Sequence, residues 1–265
     1  MKNYRLWGKP PYNIVTVHGG PGAPGSIAPV ARELSKDMGV LEPLQTKKSV
    51  EGQIEELAAV IKEYGATPVT LIGHSWGAWL VYLTAARHPL IVKKAILVGS
   101  GAFEQKYADN IFPERLSRLN EKDRITMLGA IDVIKDPTTG EKARNDALER
   151  FGALCAKADT YSALPPETEP EPLPASEETN RKVWVEAENL RKSGELLKTG
   201  KKIKCPVTAI SGDYETHLPE GVKEPLTSVL KHFKFILLKK CGHEPWFEKY
   251  ARDEFFRILR EEIVS

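Results

Sequence analysis

Three residue types that together make a reactive alcohol stand far apart in this chain. They are Ser75 in Gly73-His-Ser75-Trp-Gly77, Asp213 in AISGDYET and His243 in ILLKKCGHEPW. A serine hydroxyl is a weak nucleophile; it needs an imidazole to take its proton and a carboxylate to orient that imidazole. Each of the three follows an apolar, strand-like run, so each is expected at the carboxyl edge of a sheet, where catalytic groups in parallel sheets gather. The G-x-S-x-G pattern places Ser75 on a tight strand-to-helix turn, with small flanking residues that let the turn form. Their chain order, Ser then Asp then His, is the one this arrangement uses. The expected chemistry is acyl transfer, with Ser75 attacking and His243 acting as base and then acid.

A second stretch, HGGPGAPGS over 18–26, offers backbone donors. Gly20, Gly22 and Gly25 match the G-x-G-x-x-G spacing of a dinucleotide loop, and Glu42 lies about where a ribose-binding acid would stand. Pro21 and Pro24, however, remove two N–H donors from within that fingerprint. A nucleotide-dependent oxidoreductase would also leave Ser75, Asp213 and His243 unexplained. The loop reads instead as half of an oxyanion hole: the amide of Gly20, with Gly19 next in line, and the amide of Trp76 at the start of the following helix.

These residues need a scaffold, and the apolar pattern supplies one. Six nearly continuous runs, at 14–17, 40–44, 68–72, 95–98, 207–210 and 233–238, read as strands buried on both faces of a parallel sheet. Helical spacing falls between them: after Ser26 as N-cap, over 50–64 with Gly65 as stop, from Trp76 to about His88, and from about 245 to 263. The alternation predicts an α/β fold, a doubly wound, mostly parallel sheet. From 102 to 203 no strand is legible, but helical patterns recur at 123–135, 141–160 and 180–197. This block is read as a helical cap inserted into a core of 1–101 and 204–265. Within it, LPPETEPEPLPASEE at 164–178 carries five prolines and five glutamates and reads as an extended linker.

Composition narrows the class. In 265 residues the formal charge is +2, hydrophobic residues make up 41% and charged residues 28%. That suits a soluble globular chain, and no basic stripe points to nucleic acid. The start has no apolar leader, and the most apolar stretch, 69–86, is broken by Gly-His-Ser, so neither secretion nor a membrane span is expected. Cys155, Cys205 and Cys241 lack metal or disulfide spacing, which fits small core residues in a reducing cytoplasm. No cofactor and no metal are called for. His18 and His74 read as residues of their loops, His88, His217 and His232 as surface groups, and Glu244 and Glu248 as solvated helix-start acids.

Together, HGGPG, GHSWG, SGDY and CGHEPW resemble the α/β-hydrolase superfamily and, within it, the proline iminopeptidase-like group. The likeness spans roughly 12–101 and 204–263. It implies the same triad (Ser75, Asp213, His243) and the same oxyanion amides (Gly20, Trp76). Three features depart from the group: His74 in the elbow, LEPLQTKKSVEGQ where an Asp- and Gly-rich signature is usual, and a shortened N-terminus. The expectation is a serine hydrolase of a small ester, amide or short peptide, acting through an acyl-enzyme on Ser75. An iminopeptidase would need a carboxylate for the substrate's amine, with Glu167, Glu169, Glu171, Glu177 and Glu178 as candidates. A carboxylesterase and a non-catalytic ligand-binding protein are the alternatives.

Overall fold

The structure, a computed structural model, describes residues 3–165 and 173–265. Seven strands form one sheet in the order β1-β3-β2-β4-β5-β6-β7: β1 (Tyr4–Trp7), β2 (Tyr12–Val17), β3 (Gly39–Pro43), β4 (Val69–His74), β5 (Val92–Val98), β6 (Val207–Gly212) and β7 (Phe233–Leu238). All six strands expected from the apolar runs are present and run parallel to one another. β1 is an addition at the edge, antiparallel to β3, with Arg5 opposite Glu42. Its four residues are only partly buried, so the apolar signal that marks the central strands is missing. β1 also accounts for Glu42. That buried carboxylate accepts a hydrogen bond from Trp7 Nε1 at 2.8 Å and pairs with Arg5, so it is engaged within the sheet edge rather than turned to a ribose.

Helices cover both faces. On one lie α2 (Val50–Tyr64) and α3 (Trp76–Arg87), packed on Val15, Val17, Leu71 and Leu97. On the other lie α1 (Ala28–Leu34) and α10 (Arg252–Val264), packed on Ile14, Ile72, Ile96 and Ile210. α3 is buried almost all round, from Trp76 through Ala85, as expected of a helix sealed between the sheet and a second layer. Ser26 is not the N-cap of α1. Ile27 holds that place, and Ser26 Oγ instead accepts the N–H of Gly19 at 3.1 Å, folding the glycine loop back on itself.

Between β5 and β6 the described residues form α4 (Ile111–Arg118), α5 (Glu121–Lys135), α6 (Glu141–Ala158), α7 (Glu177–Lys192) and α8 (Glu195–Thr199), with no strand among them. Leu119, Met127 and Ala158, joined by Phe112 and Phe151, give α4–α6 a small core of their own. Part of the 164–178 stretch, including Glu167, Glu169 and Glu171, lies outside the described residues; its end, Glu177 and Glu178, opens α7. After β6, α9 (Glu220–Val229) carries Pro225 inside it, which hides its helical pattern in the sequence. Among the described residues no helix is long and apolar enough to cross a membrane.

The C-terminal helix is fastened to the sheet by charge. Buried Glu262 of α10 accepts from Lys94 of β5 at 2.7 Å, from Thr208 of β6 at 2.7 Å and from Lys234 of β7 at 2.6 Å. Burial pushes the Glu262 carboxyl up, but the two lysines and Thr208 outweigh this and hold it at about 2. A carboxylate depressed in the folded state stabilises above its unfolded value, and that contribution is lost as pH falls through the folded one. Glu262→Ala, which leaves Lys94 buried and unpaired, is expected to cost about 3–5 kcal/mol at neutral pH. Thermal melts should show the gap between variant and parent closing as pH falls from about 4.5 towards 2.

Candidate active site

β4 ends at His74 and α3 starts at Trp76, so Ser75 alone makes the turn. Its φ of 53° lies in the left-handed region, a conformation costing a non-glycine residue on the order of 1–3 kcal/mol. The turn closes because its flanks lack side chains. A Cβ at Gly73 would collide with the Gly77 carbonyl, and one at Gly77 with the Val17 carbonyl. The Ser75 N–H donates to Val98 O at 3.0 Å, anchoring the elbow to the end of β5. The next residue, Gly99, packs against the ring of His243, so the ends of β4 and β5 and the loop after β7 converge.

The carboxylate at His243 is not the expected one. Asp213 is exposed; its carboxylate accepts the Cys241 N–H at 3.3 Å and stands 3.7 Å from Lys239 Nζ. Glu215, two residues on, is buried, and its Oε2 lies 3.0 Å from His243 Nδ1. The reason is the turn after β6. The Gly212 N–H donates to Glu215 Oε1 at 2.8 Å, so the longer side chain folds back beneath the strand end while Asp213 points outward. Both acids stand in SGDYET; the sequence reading overlooked Glu215, and an extra methylene able to reach back was its only distinguishing mark.

Two further histidines flank His243. His74 Nε2 donates to the His243 carbonyl at 3.1 Å, with ring centroids 4.7 Å apart. His217, expected at the surface, stacks on His243 at 4.7 Å with the planes 19° apart. Burial pushes the basicity of both His74 and His217 well down, and the charge of His243 adds to this. His243 itself goes the other way. Burial lowers its basicity, but the hydrogen bond and charge of Glu215 outweigh that and hold it above the ordinary imidazole value. Glu215, His217 and His243 each offer a ligand atom within 4.8 Å of the others. Near-parallel stacked rings cannot aim both in-plane lone pairs at one ion, however, and Glu215 is already hydrogen-bonded to Nδ1. The group is better made for holding a proton than for gripping a metal.

The glycine loop lies beside the elbow, where a Cβ at Gly19 would press on Ser75 Cβ. His18 fixes the loop. Its Nδ1 donates to Gly19 O at 3.0 Å and its Nε2 accepts the Gln45 N–H at 3.2 Å, the pattern of a neutral ring. The Gly19 N–H is committed to Ser26, whereas the N–H of Gly20 has no acceptor among the described residues. Trp76, first residue of α3, has an N–H beyond the reach of any intrahelical acceptor.

The inserted helices are tied to these loops. Asp159, at the end of α6, is buried; its carbonyl accepts the His243 N–H at 2.9 Å, and its carboxylate holds Arg115 and accepts from Thr216 Oγ1 at 2.7 Å. Glu248, expected to be solvated, is buried and accepts the N–H groups of Gly242, Tyr161 and Ser162. The Ser176 N–H donates to Gly22 O at 2.8 Å, seating α7 on the glycine loop. Glu177 is paired with Arg144 and Arg181, and Glu178 with Lys48 and Lys182, so neither expected amine-binding acid is unengaged. The cysteines are free, with Cys241 buried and Cys155 and Cys205 partly so.

Residues 12–250 match the family model described as alpha/beta hydrolase fold. The chain belongs to the α/β-hydrolase fold family. It is similar to a proline iminopeptidase of Clostridioides difficile (strain 630), 25% identical over 275 residues that cover 96% of this chain and 89% of that protein. Among solved structures, a proline iminopeptidase of Mycobacterium smegmatis matches with a TM-score of 0.62 and 16% identity, over 98% of this chain and 93% of its own. A monoacylglycerol lipase of Paleococcus ferrophilus matches with a TM-score of 0.60 and 18% identity, over 98% and 97%. The six parallel strands and the elbow are thus those of a fold that serves peptidases and lipases alike.

The pairing at His243 can be tested directly. In Glu215→Gln the imidazolium loses its charged partner while remaining buried, so its pKa is expected to drop below about 6.5. In Asp213→Asn it should stay raised. Histidine Cε1–H shifts followed by NMR titration would distinguish the two acids.

Proposed function

We propose that this protein is a serine hydrolase that cleaves an ester or amide through an acyl-enzyme on Ser75. The observation that carries the reading is the strained, half-buried elbow serine whose neighbour His74 touches an imidazole with its Nδ1 held by a buried carboxylate. In the proposed mechanism His243 takes the Ser75 proton as Oγ attacks the substrate carbonyl. The proton then passes to the leaving group, and a water activated by the same ring releases the acyl group. Glu215 is the orienting acid. It fixes the tautomer with Nδ1–H directed at itself and stabilises the imidazolium; Asp213 is assigned no catalytic role. The amides of Gly20 and Trp76 are the donors for the developing oxyanion, and the helices of 102–203 act as the cap over the site.

Peptidase action on an N-terminal proline has less support than ester or amide cleavage in general. It rests on the similarity to proline iminopeptidases, while Glu177 and Glu178 are already taken up by cations.

A fluorophosphonate probe is expected to label the wild-type protein at Ser75 and to leave Ser75→Ala unlabelled; an unlabelled wild type would overturn the reading and favour a ligand-binding protein. A panel of p-nitrophenyl esters beside proline p-nitroanilide identifies the substrate class. On the best substrate, Glu215→Gln is expected to lower kcat by about 10⁴ and Asp213→Asn by less than about threefold. Because His243 must be neutral to act as base and its pKa is raised, kcat/KM should climb with pH through a value above about 6.5.

A further inference from the structure

Arg191 is a guanidinium whose partners do not match its burial. It lies on α7 with its side chain 7% exposed, over the face of Trp79 at 5.5 Å. Trp79 stands one helical turn beyond Ser75 and is stacked on Trp184 at 5.8 Å with the planes 4° apart. Trp184 and Arg191 are seven residues apart on α7, so two turns of the same face rest on the helix that carries the nucleophile. Nε of Arg191 donates to Gln105 Oε1 at 3.1 Å, and Gln105 in turn donates to Asp109. The terminal nitrogens have no hydrogen-bond acceptor among the described residues, yet neither is sealed from solvent. The Glu188 carboxylate is 3.8 Å from Nη2, too far for a hydrogen bond.

Enclosing a guanidinium with carboxylates near it but none in hydrogen-bond contact is costly unless something completes it. A second, half-buried arginine near the site, Arg115, is completed by the carboxylate of Asp159 in two-pronged contact. Arg191 has no such contact; it lies over Trp79, one helical turn along α3 from the elbow that carries Ser75.

We propose that Arg191 is the anion-binding residue of this site, and that the protein hydrolyses an ester or amide bearing a free carboxylate, which docks on the Arg191 fork. This rests on the serine-hydrolase reading above. A planar fork suits a planar carboxylate, and one positive charge already softened by Glu188 suits a monoanion better than a phosphate dianion. The same residue opposes a substrate that presents a free amine at this position.

The test compares matched ester pairs. One pair differs in the acyl half, 4-nitrophenyl hemiglutarate against 4-nitrophenyl valerate. The other differs in the leaving group, 4-acetoxybenzoate against 4-acetoxytoluene. The readout is the ratio of kcat/KM for the acid to that for its neutral partner. Wild type is expected to favour the acid in one pair, and Arg191→Gln to lower that ratio by about 10- to 100-fold, with Arg191→Lys between them. A residue that merely clamps α7 to α3 would lower both members together and leave the ratio where it was. That result, or no preference for the acid in either pair, overturns the proposal. Calorimetry with glutarate separates this proposal from the one it rests on: Ser75→Ala should bind glutarate and Arg191→Gln should not. If wild type takes no fluorophosphonate but still binds glutarate through Arg191, the hydrolase reading fails and the anion site stands. If glutarate binds neither wild type nor Ser75→Ala, the anion site fails on its own.

Discussion

The contact between His243 and Glu215 is the constraint around which the rest of the site is organised. A carboxylate removed from water is costly unless its lone pairs are filled, and here one oxygen takes the Gly212 amide while the other meets the imidazole. The two residues lie on different loops, one after β6 and one after β7, so the contact exists only if those strands are in register. They are: Ser211 lies beside Leu237 and Gly212 beside Leu238. The charge network at Glu262 supports the same region from below, joining β5, β6 and β7 to α10.

Most of the scaffold could be read from the sequence because a buried parallel strand announces itself. Val69–His74 and Val207–Gly212 are buried at every position, and their apolar runs are correspondingly near-continuous. β1 was not legible, being four half-exposed residues whose strand character comes from pairing with β3. α4 was missed for a related reason: none of its residues is fully buried. In the candidate site, the turns that carry Ser75 and His243 were legible because glycines and strand ends mark them. The carboxylate that meets His243 was not. Two carboxylates stand two residues apart past the same strand, and the choice between them depends on a backbone hydrogen bond within a turn. The same turn brings His217 inward, where a histidine after an acidic loop would otherwise read as solvated.

The helices of 102–203 are joined to the loop that bears His243. Asp159 and Glu248 are buried carboxylates that bind the segment after α6 to the loop bearing His243. Each accepts from groups on both sides of that seam or bridges them through its backbone. The position of the imidazole is therefore set partly by 102–203, and a displacement of α6 would be felt at His243 before it reached the sheet. α7, by contrast, touches the glycine loop at Gly22 and α3 at Trp79. In the proposed reaction, orientation of the base and recognition of the substrate would thus draw on different helices of the same insertion.

Three imidazoles within ring contact can share little positive charge, because each protonation raises the cost of the next. His74 and His217 are deprived of water without gaining a carboxylate, and His74 spends its one donor on a carbonyl. His243 alone has Glu215. A proton arriving in the cluster therefore belongs on His243, and its neighbours stay neutral while it is there. In the proposed reaction that is where the serine proton must go, and burial together with the charge of Arg115 opposes Glu215 and helps the proton pass to the leaving group. The cluster restricts the proton to one ring without fixing it there too tightly, a balance that Glu215 on its own, unopposed, would tip towards a permanent imidazolium.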